Sequence, residues 1–425
     1  MIIYHINIVS FLLSNILSQI IFEFEKKYPT FILSNFNKYI LENEYISTLS
    51  IGTPVQEIPL IINFKDNQFY LLHSNLKGKY NEKKSSTYKN ISKITNYRFT
   101  NFNEGSIISD NIYFNSNNNN QLINNIQFIL ITDKKEKSSM KISQIGLTRY
   151  YIDGLHDYNF IYQLKKNKYI NRFSFYFDFS NKFKLVIGTL PHELDKNKFL
   201  ENDFITSHFT FEGDIFVWFI TFNEIKYYNQ SEINKSILIS MEFQGIYPTK
   251  EYKDFIQKNF FNEYLNNNLC FLNKDNEKFF YYICDIKIDK NKFKSIKFYH
   301  QNFNYTFILD FDDLFIKINN KYFCLILFEK NQIRYNWYVG EIFFKKYIIV
   351  FNQEKKLIGF YPNFYKEKFN IPISYYFVFL FFISTLILGY LLYKIIIKKK
   401  RRIRANELEE NIDYISKENY QKLSL

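Results

Sequence analysis

Residues 45–70 read YISTLSIGTPVQEIPLIINFKDNQFY. Apolar residues alternate with other residues on both sides of Gly52-Thr53-Pro54, a tripeptide typical of a tight turn. The stretch therefore predicts one strand, a turn and a second strand.

This stretch resembles the opening hairpin of pepsin-like aspartic peptidases, where Gly-Thr-Pro-x-Gln precedes a strand that ends in the catalytic Asp-Thr-Gly-Ser. Gln56 matches the family's glutamine, but the aspartate position falls on Asn63. Residues 64–66 read Phe-Lys-Asp where the family has Thr-Gly-Ser. The resemblance implies that the scaffold is kept and that the first catalytic carboxylate is lost.

Further motifs similar to those of the family follow in the expected order. They are SSTY at 85–88, FTNFNEGS at 99–106, Asp110, ISQIGL at 142–147, a helix and strand over 160–176, and LVIG at 185–188. The flap tyrosine of working enzymes, whose hydroxyl donates a hydrogen bond to substrate, falls on Phe102. A phenyl ring cannot donate that bond.

The second half of the chain should repeat the first, because the family's two lobes are related by an internal pseudo-two-fold. Residues 236–248, SILISMEFQGIYP, occupy the place of the second Asp-Thr-Gly-Thr. The aspartate position falls on Ser240, to within about one residue, since the spacing to Pro248 is short. No Asp lies between Asp214 and Asp254, so no local shift of the alignment supplies one.

The C-terminal signature is WYVGEIFFKKYIIVF at 337–351, followed by LIGF at 357–360. It resembles the family's Leu-Gly-Asp segment and closing Ile-Gly-Phe. Gly146 and Gly340 are then the paired glycines where a loop passes behind each active-site strand and a side chain would collide. The resemblance covers residues 45 to 362 and implies an all-β fold with minor helices, in two lobes, 24–190 and 191–365, with a cleft between them.

Aspartic peptidases need two carboxylates that share a proton. Asn63 and Ser240 cannot accept or release a proton near working pH. The nearest acids are Asp66, which we expect in a loop, and Glu242, which shares a strand face with Ser240 only if that strand continues.

Three functions are compatible with these observations. The leading hypothesis is a pseudo-peptidase that binds an extended peptide or a partner protein in the interlobe cleft. The alternatives are a divergent active aspartic endopeptidase of the secretory pathway whose acids lie elsewhere, and a β-rich surface or adhesion protein outside the family. No cofactor is expected, and three widely spaced cysteines with six histidines make no metal ligand set.

The cysteines are Cys270, Cys284 and Cys324. In an oxidising lumen we expect one disulfide and one remaining thiol. The usual pairing in the family favours Cys284 with Cys324, and Cys270 with Cys324 is the alternative.

Residues 374–393 contain no charged residue, and seven basic residues follow within 394–404. Twenty such residues are long enough to span a bilayer, with the basic cluster on the cytoplasmic side. Residues 1–22 resemble a signal peptide that ends near Ser18, with a buried core strand or a membrane anchor as the alternative. We therefore predict a single-pass type I membrane protein of the secretory or endosomal system, with its large part in the lumen or outside and residues 394–425 in the cytoplasm.

Two further features concern partners of the protein. The formal net charge is +13, but outside 394–404 the positive charge is scattered, which argues against a nucleic-acid partner. Tyr420 and Leu423 form a Tyr-x-x-apolar pattern in the tail that is typical of segments bound by sorting adaptors. Sequons for N-glycosylation lie at Asn90, Asn229, Asn234 and Asn304.

Overall fold

The structure, a computed structural model, describes a large part of the chain. The described residues are 19–26, 45–64, 66–76, 78–95, 102–116, 119–134, 142–148, 158–180, 182–209, 218–241, 243–275, 279–330, 336–362, 381, 384–402 and 404. Strands predominate among residues 19–362 of this set, where the helices are few and short, which confirms the mostly β class with minor helices.

The strands follow one another through both halves of the chain. They are β1 Ile20–Lys26, β2 Tyr45–Ile51, β3 Gln56–Asn63, β4 Phe69–Leu72, β5 Lys89–Thr95, β6 Phe102–Ser116, β7 Asn119–Lys134, β8 Ser143–Gly146, β9 Ser174–Asp178, β10 Phe183–Ile187, β11 Ile205–His208, β12 Phe219–Tyr227, β13 Gln230–Ile239, β14 Ile246–Tyr247, β15 Cys270–Asn273, β16 Phe279–Asp285, β17 Ile296–His300, β18 Tyr305–Leu309, β19 Phe315–Ile318, β20 Lys321–Cys324, β21 Phe328–Glu329, β22 Trp337–Val339, β23 Ile349–Asn352 and β24 Leu357–Phe360.

The α-helices are mostly single turns or two turns long. They are α1 Phe160–Lys166, α2 Pro191–Leu194, α3 Lys250–Ile256, α4 Asn262–Asn266, α5 Phe311–Leu314 and α6 Glu341–Lys346. A π-helical turn, Gln257–Phe261, joins α3 to α4. Short 3₁₀ turns lie at Ser74–Leu76, Glu82–Lys84, Glu201–Asp203 and Lys290–Lys292, and residues 384–402 are helical.

The predicted opening hairpin is confirmed. Strands β2 and β3 pair antiparallel, from Ile46 opposite Ile61 to Ile51 opposite Gln56, and residues 52–55 form the turn. The alternation of apolar residues matches the two faces of the strands, because Leu49 and Ile58 are buried while their chain neighbours are exposed or half-buried.

A sheet of 13 strands joins the two halves of the chain. Its order is β11-β24-β23-β9-β10-β1-β2-β3-β8-β4-β7-β6-β5. The strands β23 and β24 come from the C-terminal end, and Val350 pairs with Tyr176 of β9. The sheet therefore crosses the lobe boundary that the sequence places at residue 190.

The C-terminal half carries two further sheets. One has the order β14-β22-β13-β12-β17-β18, and the other contains β15, β16, β20 and β19 with β21 paired to β16. In the first of these sheets β13 and β22 run parallel to each other, and Ser240 directly follows the end of β13.

Strand β1 includes the last residues of the predicted signal peptide. Ile20, Phe22 and Phe24 are buried, and β1 pairs along β10 from Ile20 opposite Ile187. The boundary expected at residue 22 therefore falls inside a core strand. Residues 1–18 lie outside the described residues.

The expected disulfide between Cys284 and Cys324 is wrong. Cys270 bonds to Cys284, and these two residues are direct partners in the antiparallel pair β15–β16, with Cα atoms 4.0 Å apart. Cys324 is fully buried on β20 and is free, and burial raises the pKa of its thiol. Cys270 therefore lies opposite Cys284 within bonding distance, and it is closer to Cys284 along the chain than Cys324 is.

The predicted membrane span, 374–393, is described only at residue 381 and from residue 384 onward. Within the described residues, none of the helices combines the length and apolar character that a bilayer crossing requires. The tail residues Tyr420 and Leu423 lie outside the described residues. The four sequon asparagines, Asn90, Asn229, Asn234 and Asn304, are all exposed.

Candidate functional site

The first candidate position, Asn63, is the last residue of β3. It pairs in parallel with Gly146, the last residue of β8, and Leu147 N–H donates to the Asn63 carbonyl at 2.8 Å. The chain beyond Asn63 then passes behind Gly146, whose N–H donates to the Gln68 carbonyl at 2.9 Å. A Cβ on Gly146 would lie 2.5 Å from the Gln68 nitrogen, so this crossing requires glycine.

The second candidate position, Ser240, directly follows β13. Ile239 pairs in parallel with Val339, and Ser240 N–H donates to the Val339 carbonyl at 3.1 Å. Beyond Ser240 the chain passes behind Gly340, whose N–H donates to the Gly245 carbonyl at 2.9 Å. A Cβ on Gly340 would lie 2.2 Å from the Phe243 carbonyl oxygen.

The two strand ends, as we call Asn63 and Ser240 with the loops that follow them, are built alike. Gln68 follows Asn63 by five residues and Gly245 follows Ser240 by five, and each carbonyl accepts the N–H of the crossing glycine. The register thus makes Ser240 the counterpart of Asn63. Ile239 and Met241, the neighbours that sequence spacing left open, do not satisfy this relation.

The residue after each position is large, apolar and buried. Phe64 is 2% exposed and Met241 is 4% exposed. The Phe64 ring packs against Phe344 of α6, with ring centroids 6.1 Å apart. Because α6 begins next to Gly340, this contact connects the first strand end to the element that supports the second.

Asp66 lies in the first loop and its carboxylate is engaged there. Its Oδ1 accepts the N–H groups of Asn67 at 2.7 Å and Gln68 at 3.1 Å. Burial raises the pKa of Asp66, against the opposing effect of the Gln68 N–H. The carboxylate therefore stabilises the turn that crosses behind Gly146. Glu242 lies outside the described residues, and so does the side chain of Phe102, whose backbone begins β6.

A buried ionic cluster that sequence reasoning missed lies beside the second strand end. Glu341, which is fully buried, contacts Lys345, the Gln244 side-chain amide and Lys26 of β1, the last at 3.3 Å. Burial disfavours the Glu341 carboxylate, but Lys345 and Lys26 outweigh this effect and lower its pKa below the usual value. For Lys26, burial disfavours the charged ammonium and lowers its pKa to about 8.

This cluster joins the N-terminal strand to the C-terminal helix α6. The only signal for it in the sequence was the position of Glu341, where the family has the aspartate of Leu-Gly-Asp. Since Glu341 is fully buried, its carboxylate is a structural anchor and does not face a substrate.

The family-like motifs around the opening turn, residues 52–55, are joined by a network of hydrogen bonds. Asp110 is fully buried, and its carboxylate accepts the Tyr80 hydroxyl at 2.7 Å, the Thr87 hydroxyl at 2.5 Å and the Asn111 N–H at 2.8 Å. Burial and the Asp110 carboxylate raise the pKa of Tyr80. The Ser-Ser-Thr-Tyr segment is thereby tied to β6.

The same segment is tied to the turn. Thr53 N–H donates to the Ser85 hydroxyl at 3.1 Å, and the Thr53 carbonyl accepts the Ser86 N–H at 2.7 Å. Gln56 exchanges two hydrogen bonds with the backbone of Asn81, at 2.9 and 3.0 Å. We call Thr53, Gln56, Tyr80, Asn81, Ser85, Ser86, Thr87 and Asp110 the turn network.

Comparison with known proteins agrees with this architecture. A family model described as eukaryotic aspartyl protease matches residues 44–363. The crystal structure of conglutin gamma, a basic 7S globulin from lupine seeds, is similar with a TM-score of 0.59 and 12% identity, covering 81% of this chain and 95% of that one. Basic 7S globulin from soybean is similar with a TM-score of 0.57 and 11% identity, over 81% and 95% of the two chains. No curated protein sequence matches this chain significantly.

Proposed function

This chain belongs to the eukaryotic aspartyl protease family, and we propose that it is a catalytically inactive, membrane-anchored member that binds an extended peptide or a partner protein in its interlobe cleft. The observation that carries the proposal is the common register of Asn63 and Ser240 against Gly146 and Gly340.

The chemistry of these two positions supports inactivity. Peptide hydrolysis by this family needs one carboxylate as base toward water and a second as acid toward the carbonyl oxygen. An amide and a hydroxyl can hydrogen-bond to a peptide but do not exchange protons in this way. Loss of both carboxylates removes the reaction and keeps groups that can bind a peptide backbone.

The adjacent residues strengthen the argument against a divergent active enzyme. Phe64 and Met241 fill buried space where the family pattern has a small residue. Asp66, the nearest described acid to Asn63, uses Oδ1 for the turn of its own loop. A carboxylate held in this way is poorly placed to activate a water at the strand end.

Membrane attachment is proposed from residues 374–393 and the basic cluster that follows them. The uncharged stretch and the position of seven basic residues after it favour a type I orientation. The exposed sequon asparagines of residues 90–304 support a luminal or extracellular location of the preceding part.

Inactivity is tested with full-length protein purified in detergent and incubated with a peptide library from pH 3 to pH 7.5. We expect no cleavage above the level of a buffer control. Cleavage that disappears in Asp66→Ala or Glu242→Ala would establish the active alternative and end this proposal.

Peptide binding is tested by replacing Asn63, which is half-buried, with a photo-crosslinking amino acid in the full-length chain. We expect capture of peptides from a random library by this variant. The matched control carries the same amino acid at Asp312, whose side chain is 83% exposed on the surface. Equal capture by both variants would exclude the strand end as a binding site.

The tail supports a further part of the proposal, recognition by a sorting adaptor. A Tyr-x-x-apolar segment can add to an adaptor as an extended strand and place Tyr420 and Leu423 in apolar pockets. Tagged protein with Tyr420→Ala should change its steady-state location. An unchanged distribution would remove the motif and leave the anchored topology intact.

A further inference from the structure

A pocket of about 290 Å³ lies in the C-terminal half, separate from the two strand ends. Three parts of the chain form it: the turn between β12 and β13, the helical residues 257–264, and the loop 289–294. Neither the family motifs nor the proposed function uses these residues.

Aromatic rings form part of the pocket wall and are held in place from their hydroxyl ends. Tyr228 donates to the Lys292 carbonyl at 2.5 Å. The Tyr264 hydroxyl bonds to both the N–H and the carbonyl of Asp289, each at 3.2 Å. Phe260 and Tyr264 are buried, so the half-buried ring of Tyr228 is the apolar face that the pocket presents.

The charges around the pocket balance. Glu263 pairs with Lys292 at 2.6 Å, and Asp289 and Lys294 add one charge of each sign. A pocket with no net charge offers no advantage to a phosphate or another strongly charged ligand. Its chemistry favours a neutral polar ligand.

Several polar groups at the pocket are available to such a ligand. Among the described residues, the Asn291 side-chain amide and the Lys294 ammonium have no partner. Asn259 donates from Nδ2 to the Phe255 carbonyl at 2.8 Å, which leaves its side-chain oxygen as an acceptor. Donors and an acceptor beside aromatic rings suit a sugar, whose hydroxyls need hydrogen bonds and whose ring has apolar C–H faces.

We propose that this pocket binds an N-acetylglucosamine unit. The position of Asn229 points to this sugar: it is the residue after Tyr228, so their Cα atoms are about 3.8 Å apart, and it is the exposed acceptor of an Asn-Gln-Ser sequon. The first sugar of a glycan on Asn229 would begin beside the pocket. A sugar that comes from the glycan on Asn229 requires the proposed secretory location, whereas binding of a free saccharide does not require it.

The first experiment uses full-length protein with Asn229→Gln and titrates N,N′-diacetylchitobiose, followed by saturation-transfer NMR. We expect binding with a Kd of about 1 mM. Tyr228→Asn removes the ring and keeps a residue type that tolerates the positive φ of 53° at this turn. Tyr228→Asn and Asn291→Ala should each weaken binding at least about tenfold, and Asn320→Ala, an exposed asparagine outside the pocket, should not.

The second experiment uses protein made in glycosylating cells and follows endoglycosidase release at Asn229 and, as the reference, at the exposed Asn90. We expect slower release at Asn229, and Tyr228→Asn should accelerate it there and leave Asn90 unchanged. If chitobiose binds but Asn229 carries no glycan in the protein made in glycosylating cells, the ligand is a free saccharide. That result would count against the secretory location and not against the pocket. No chitobiose binding, with equal release at both asparagines, would overturn the pocket proposal and leave the proposed function untouched.

Discussion

The turn network and the two strand ends both match family motifs, but they differ in how much of the motif survives. In the turn network the family-like residues are present and join separate segments, as Asp110 does by accepting the Tyr80 and Thr87 hydroxyls. At the strand ends the backbone geometry persists around Gly146 and Gly340, while Asn63 and Ser240 lie where the family resemblance places the catalytic aspartates. The comparison indicates that this chain keeps the backbone crossings and the hydrogen-bonded side chains of the family motifs, whereas the side chains at its two strand ends differ from the family pattern.

The largest expected effect tests the turn network. Asp110→Ala leaves the fully buried Tyr80 hydroxyl without its acceptor and removes the contact with Thr87, and we expect it to lower the free energy of unfolding by about 3 kcal/mol. Urea unfolding of the full-length chain measures this loss. Asp312→Ala, at an exposed ion pair, is the matched control and should change stability by less than about 0.5 kcal/mol. A loss below 1 kcal/mol for Asp110→Ala would mean that the network is not needed for folding.

The next effect tests whether the strand ends keep their structural role. Gly146→Ala and Gly340→Ala each bring a methyl group into backbone atoms of the crossing loop, at 2.5 and 2.2 Å. We expect each to destabilise the protein by about 2–3 kcal/mol in the same unfolding experiment. Gly389→Ala is the control, because a Cβ there meets nothing within 4 Å. Similar behaviour of all three variants would contradict the crossing geometry.

The pH dependence of Glu341 tests whether a carboxylate near the strand ends serves stability. Its pKa is lowered in the folded protein, so its contribution is fully present above the unfolded pKa of 4.5 and is lost as pH falls through the folded pKa. Glu341→Gln should cost about 2 kcal/mol at pH 6, and its difference from the natural chain should shrink below pH 4.5. A constant difference from pH 6 to pH 3 would show that the charge contributes nothing.

The smallest expected effect concerns catalysis itself. Asn63→Asp combined with Ser240→Asp should yield no peptide hydrolysis, because Phe64 and Met241 still occupy the positions of the small residues beside each carboxylate. The peptide-library assay measures the product. Any hydrolysis by the double variant that is absent from the natural chain would mean that the strand ends retain a catalytic geometry.

Much of the fold could be predicted from the sequence because its signals are local. The alternation of residues 45–63 and the Gly-Thr-Pro turn predict the opening hairpin, and the structure forms it. The glycines at 146 and 340 could be identified because their motifs lie at strand ends, and a backbone crossing there excludes a side chain. The absence of Asp near Ser240 is likewise a property of the sequence alone.

Tertiary structure decided what depends on register and on contacts between distant segments. The disulfide is Cys270–Cys284 because β15 pairs with β16 in a register that places these residues opposite each other, which cysteine spacing cannot reveal. The position of Ser240 follows from the pairing of Ile239 with Val339 and from the loop behind Gly340. The contact of Lys26 with Glu341 joins residues 315 positions apart, and no local pattern specifies which of many lysines meets a buried carboxylate.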